Sequence, residues 1–182
     1  MTRINKATLA LIKEFEGFES AAYKDAVGVW TIGYGTTAAA GVGISPKAGM
    51  TITEAEAETY LLRAAEKFGD AIADAIRVPV NENEFGAFVS LAYNIGPSAF
   101  RQSTALKRFN IGDKAGCAEA MGWFCKGTVN GHKVILKGLV RRREAEKALF
   151  FTPVAEPEPE PEFSGLSAII AALVAALFRR TK

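Results

Sequence analysis

Two carboxylates and a hydroxyl, Glu16, Asp25 and Thr31, stand close together near the start of the chain, inside the stretch from Phe15 to Thr37. The residues around them are aromatic and punctuated by Gly17, Gly28, Gly33 and Gly35. Two carboxyl groups in unlike surroundings can run acid–base chemistry, one holding a proton to donate while the other stays ionised. Cleavage of a glycosidic bond asks for that pair: an acid for the leaving oxygen, and a carboxylate to drive or stabilise attack at the sugar carbon. Other chemistries have less footing. His132 is the sole histidine and falls in a glycine-flanked turn, which makes it a poor partner for a serine or cysteine nucleophile. Cys117 and Cys125, the only cysteines, have no histidine at zinc-ligand spacing. No metal ion or other cofactor is expected, and the two cysteines read as free thiols in a reducing compartment.

The elements that must position these groups follow from caps and periodicity. Asn5 is a good N-cap, and Ala7, Leu9, Leu11, Ile12 and Phe15 follow at mainly helical spacing, so a first helix is predicted over about Lys6 to Phe15. Gly17 stops it and leaves Glu16 at its C-terminal edge. From Ser20 to Thr37 the strand formers Tyr23, Val27, Val29, Trp30, Ile32 and Tyr34 alternate with glycines, predicting a small hairpin sheet with Asp25 in a turn and Thr31 on a strand. Trp30 reads more simply as core than as a sugar platform. Ala38 to Met50 reads as a mobile flap or connection.

Thr53 and Glu56 form a capping box that opens the longest helix, predicted to run to about Arg77 and able to bridge two lobes. Asn81 and Glu84 open the next. Shorter helices follow Ser103 and Asp113, Gly127 to Gly131 reads as a turn-rich link, and Lys137 to Leu149 as a basic final helix. Strands confined to one early segment and followed by helices give an α+β fold, with a small sheet lobe and a larger helical lobe. The chain of 182 residues is long enough for one such domain. Its net charge of +2 divides into −1 for residues 156–182 and +3 for the rest. A mildly basic body suits an anionic wall polymer as well as plain solubility, and nothing points to nucleic acid.

Glu16, Asp25 and Thr31, taken with Phe-Glu-Gly, Ala-Tyr-Lys-Asp, Thr-Ile-Gly-Tyr-Gly-Thr, Ala-Tyr-Asn-Ile-Gly and Gly-Leu-Val-Arg-Arg-Arg-Glu-Ala-Glu, occur in an order that resembles the phage-type lysozymes. These are the tailed-phage endolysins of glycoside hydrolase family 24. The resemblance covers roughly residues 4 to 151. It implies a two-lobed lysozyme fold with a cleft between the lobes, and hydrolysis of the β-1,4 bond between N-acetylmuramic acid and N-acetylglucosamine in peptidoglycan, with inversion. By the same resemblance Glu16 is the general acid, and Asp25 and Thr31 position the water. Tyr34, Asn94, Arg142 and Arg143 become substrate-binding candidates, with Arg142 or Arg143 available to pair with Glu16 unless both are solvated surface charges. A monomer acting on the glycan strand is implied. The alternatives are a wall-binding module of the same fold without turnover, and a membrane-active lytic protein.

The domain is expected to span 1–151. Beyond it, 152–163 alternates Glu and Pro, an extended linker, and 164–182 is a short apolar segment ending in Arg179, Arg180 and Lys182. As a helix, Ser164 to Phe178 would be about 22 Å long, short of the roughly 30 Å of a hydrocarbon core. It could lie in a membrane interface or on lipopolysaccharide, form a thin anchor, or dock on the body or on itself to hide its apolar stripe. The N-terminus carries no apolar run of signal-peptide length. A host-cytoplasmic enzyme, released later onto the periplasmic wall, is expected.

Overall fold

A computed structural model describes residues 4–154, so the apolar segment expected at 164–182, and all of the linker expected at 152–163 beyond residue 154, lie outside the described residues. Asn5 caps the first helix, α1 (Lys6–Glu16), by accepting from Thr8 N at 2.9 Å. Three short antiparallel strands follow: β1 (Glu19–Lys24), β2 (Trp30–Gly33) and β3 (Thr36–Thr37), with β2 in the centre. Register pairs Tyr23 with Thr31 and Thr31 with Thr37, so Thr31 sits mid-sheet. So small a sheet needs a partner to be stable in water. It gets one from α2 (Glu54–Ala73), whose Ala64 packs with Ile32, Val42 and Ile44.

The segment from Ala38 to Met50 is a packed connection: Val42 and Ile44 are buried, and α2 reaches over it with Arg63 Nη1 donating to Val42 O (3.0 Å) and Lys67 Nζ to Ala40 O (2.7 Å). The capping box predicted at Thr53 and Glu56 is present. Helix α2 ends at Ala73, short of the expected Arg77. Asn110 takes over at the stop: it accepts from Arg77 N at 2.8 Å, a donor the helix would otherwise have used, and it donates at 2.9 Å to Ala75 O, whose helical partner would be Pro79, which has no N–H.

The other face of α2, with Ala57, Leu61, Ala65 and Ile72, belongs to the main core, so one helix serves both lobes. That core is built around α3 (Glu82–Ile95), which is buried on every side from Asn83 to Ala92. Around it pack α4 (Pro97–Gln102), α5 (Thr104–Phe109), α6 (Lys114–Gly122) and α7 (Lys137–Phe151). Phe88 of α3 is the hub, with ring centroids 5.2 Å from Phe100, 4.9 Å from Phe109 and 5.5 Å from Phe150. A buried Phe is worth roughly 1.5–3 kcal/mol in transfer alone, and tilted pairs at these spacings add to it.

One feature of the helical lobe departs from the sequence reading. The stretch read as a link is a hairpin, β4 (Lys126–Val129) and β5 (His132–Ile135), paired in register from Lys126–Ile135 to Val129–His132. His132 therefore opens a strand. The two residues at the tip, Asn130 (φ 49°) and Gly131 (φ 80°), hold the positive φ angles that a tight two-residue hairpin turn demands. Architecture otherwise follows expectation: a mixed α+β fold with a small sheet lobe and a larger helical one.

Candidate functional site

Glu16 is the last residue of α1 because Gly17 takes φ 73° and turns its N–H back to Lys13 O at 3.1 Å. The Glu16 side chain is 24% exposed, partly walled in at the junction of the lobes. Arg142 Nη1 donates to its Oε1 at 2.6 Å, across 126 positions of sequence. The other oxygen, Oε2, faces the Gly35 backbone, where a Cβ would stand 3.7 Å away. Glycine at 35 therefore leaves space beside the acid.

Asp25 sits in the β1–β2 turn, which it builds: Oδ1 accepts from Val27 N (3.0 Å) and Val29 N (2.8 Å), and the backbone closes with Asp25 N donating to Val29 O at 3.0 Å. One carboxylate oxygen is thus committed to the turn, and Oδ2 has no hydrogen bond among the described residues. Thr31 is buried, and its Oγ1 donates to Val29 O at 3.1 Å. Tyr23 lies beside Thr31 in register. Its hydroxyl is pushed up from the usual range, first by partial burial and then by the negative charges of Glu19, Asp25 and Glu16. Tyr93 of α3 feels Glu16 as well: burial is the main cause of its upward shift, Glu16 adds to it and Arg142 opposes it.

Arg142 is held by a network that the sequence reading missed. Its Nε is 3.2 Å from Glu146 Oε1, its Nη2 donates to Ser90 O at 3.2 Å, and Ser90 Oγ donates to the same Glu146 oxygen at 2.8 Å. Arg143 Nε lies 3.1 Å from Glu146 Oε2, and its Nη2 donates to Asn94 Oδ1 at 2.9 Å. Neither arginine is the surface charge weighed from sequence; both are buried. The signal for Glu146 was present, since it follows Arg142 by four residues and Arg143 by three, the spacings that share a helix face.

Of the four substrate-binding candidates, Arg142 alone touches Glu16. Asn94 is exposed and anchors Arg143. Tyr34 is buried, donating to Glu54 Oε1 at 2.7 Å, while its carbonyl accepts from Tyr93 Oη at 3.0 Å. Trp30 is half-buried with Lys24 Nζ 5.6 Å from its ring centroid. Next to Gly35 a groove of about 300 Å³ runs between the lobes, lined by Thr36, Thr37, Ala64, Phe68 and Tyr93. Thr36 Oγ1 is buried there and has no hydrogen-bond partner among the described residues. Among the described residues no group of three His, Cys, Asp or Glu is placed to hold a metal ion, and no helix is long and apolar enough to cross a membrane.

Comparison with known proteins identifies the family. The phage lysozyme family profile matches residues 13–146. An endolysin of Acyrthosiphon pisum secondary endosymbiont phage 1 is 41% identical over 148 residues, covering 81% of this chain and 97% of the relative. Among solved structures, an endolysin from Escherichia coli O157:H7 phage FAHEc1 is 46% identical with a TM-score of 0.75, covering 85% of this chain and 97% of the other. The muramidase domain of SpmX from Asticaccaulis excentricus is 35% identical with a TM-score of 0.77, covering 84% of this chain and all of that domain. With a family match across most of its length and relatives well above 30% identity, the chain belongs to the phage lysozyme family.

Proposed function

We propose that the protein is an endolysin that hydrolyses the β-1,4 bond between N-acetylmuramic acid and N-acetylglucosamine in peptidoglycan. The observation that carries this reading is the setting of Glu16. It is partly buried at the lobe junction, tied by one oxygen to Arg142 and open on the other beside Gly35. In this reading Glu16 donates a proton from Oε2 to the leaving glycosidic oxygen, while Arg142 fixes the carboxyl plane so that the proton points at the groove. Asp25, with Oδ2 uncommitted, takes a proton from the attacking water, and the Thr31 hydroxyl orients that water. Water arriving on the face opposite the leaving group inverts the anomeric carbon. Tyr23, beside Thr31 and near both carboxylates, shields the site from bulk solvent. The enzyme waits in the host cytoplasm and acts on the periplasmic wall after release. Residues 1–151 form the catalytic unit, and the apolar segment at 164–182, reached through the 152–163 linker, makes a second, membrane-facing contact.

The test is Glu16→Gln, which keeps size and hydrogen bonding but cannot donate the proton. Hydrolysis of purified peptidoglycan should fall by at least about 10²-fold, the usual contribution of a general acid, with the native circular dichroism spectrum kept and the assay run well below the variant's melting transition. Normal turnover by that variant would remove Glu16 from the acid role. Proton NMR of the first product decides stereochemistry: fresh α-anomer supports inversion, and fresh β-anomer overturns the water-attack route.

A further inference from the structure

We propose that the β4–β5 hairpin and the start of α7 form a docking surface for an anionic phospholipid bilayer, separate from the cleft. Between Ala120 and Arg143 the chain carries no Asp or Glu, but six cations: Lys126, Lys133, Lys137, Arg141, Arg142 and Arg143. The last two are consumed inside the lobe by Glu16 and Glu146, and Arg141 lies 4.0 Å from Glu14. Lys126, Lys133 and Lys137 make no ion pair among the described residues, although ten such pairs form elsewhere. The flanking acids do not answer them, since Glu144 pairs with Lys147 at 2.6 Å and Glu119 lies on the preceding helix.

The same segment exposes apolar side chains beside these cations, more of them than the strand preference of Val and Ile accounts for, since Trp123 lies outside either strand. Ile135 is 62% exposed and Trp123, at the foot of the hairpin, 54%; Val129, Val134 and Val140 are exposed as well. Register sets Ile135 beside Lys126 and Lys133 beside Thr128 on one face, and Val134 and Val129 with His132 on the other, so bases and aliphatics are interleaved. A cluster of exposed apolar groups marks a contact surface. Branched aliphatic chains offer a glycan strand neither hydrogen bonds nor a flat ring, whereas an interface of acyl chains beneath negative headgroups satisfies both the aliphatics and the unpaired lysines.

Native tryptophan fluorescence of the full chain tests this. Residues 155–182 contain no tryptophan, so the apolar C-terminal segment is silent in the assay, and a Trp30→Phe background leaves Trp123 as the only indole. Phosphatidylglycerol-containing vesicles should shift its emission to the blue, an effect weakened by salt, while pure phosphatidylcholine vesicles should do little. Reversing Lys126, Lys133 and Lys137 to Glu should weaken partitioning by roughly a hundredfold or more, with circular dichroism and hydrolysis of purified peptidoglycan unchanged. Val134→Ser with Ile135→Ser should also weaken it while leaving every charge in place. Three results would overturn the proposal: emission unmoved by anionic vesicles, a shift that survives charge reversal, or a shift produced by purified peptidoglycan and not by lipid.

Discussion

Glu146→Gln is the perturbation with the most to say about how this enzyme is built. The Arg143 and Glu146 side chains are 1% and 0% exposed, so no solvent screening reduces their interaction. Glu146 answers two guanidiniums, Arg142 through Oε1 at 3.2 Å and Arg143 through Oε2 at 3.1 Å. A glutamine of the same shape can turn its oxygen to only one of them, and at the other an N–H then faces an N–H. No cavity is made, so the loss reports charge and hydrogen bonding alone. Stripping one partner from a buried pair destabilises by about 3–5 kcal/mol, and the retained Ser90 bond places this case near 3. At about 2–4 °C per kcal/mol for a chain of this size, the melting temperature should drop by roughly 6–12 °C in calorimetry. Arg142 also loses one of the groups that aim it at Glu16, so peptidoglycan hydrolysis below the melting transition should fall by about tenfold, a misplacement effect. Arg143→Met in the same chain removes the unanswered cation and should restore much of the stability. A single-variant loss under about 1 kcal/mol, or no recovery in the double variant, would refute the view that a charge-balanced cluster holds the site.

The other expectations are more local. Gly86 of α3 meets α1 so closely that a Cβ would fall 2.0 Å from Thr8 Oγ1, itself bonded to Asn5; Gly86→Ala should destabilise by about 1–3 kcal/mol in urea titration through overpacking. Burial pushes the Cys117 thiol up to about 12, so a thiol reagent at neutral pH should label Cys125 in the native protein and Cys117 only on unfolding. Asp113 is held below its usual range first by the Gly116 N–H and then by Arg108. A depressed carboxyl contributes stability that is present above its unfolded value and lost as pH falls through the folded one. Asp113→Asn should therefore lower the melting temperature modestly at neutral pH and flatten part of the loss seen below about pH 4, where variant and parent converge.

What could be read from the sequence was what depends on neighbours in sequence. Asn5, Thr53 with Glu56, and Asn81 with Glu84 each cap a helix through bonds spanning a few residues, and each was found. The placement of Glu16 at a helix end followed from Gly17 alone. The β4–β5 hairpin was legible too, because Asn130-Gly131 between the strand formers Val129 and Val134 is a strong tight-turn signal. The early end of α2 could not be read in full, since Asn110, an amide 33 positions from Arg77, takes over its backbone N–H. Nor could the sequence choose between Arg142 and Arg143. Adjacent on one helix, they point about 100° apart, and only the packing of α7 against α1 and α3 decides that Arg142 meets the carboxylate while Arg143 meets Asn94.

That choice couples the fold to the chemistry. Glu16 is contributed by α1, yet the group that orients it comes from α7, and α7 is oriented through Ser90 of α3 at the centre of the main core. Asp25 and Thr31, by contrast, are set by a turn and a strand of the small lobe that lean on α2. The two halves of the proposed site thus rest on different cores, joined by α2, which belongs to both, and by Tyr93 of α3, which packs against both. A substitution on the shared stripe of α2 should then do what a lesion in either core alone does not. Leu61→Ala, buried against the main core and one turn from Ala64, should lower the melting temperature by the several degrees expected of about 2–5 kcal/mol. It should also lower kcat more than Phe109→Ala does at matched stability, because only Leu61 lies where displacement moves one carboxylate relative to the other. Equal kcat for the two variants at matched stability would mean that the lobes hold their spacing without α2.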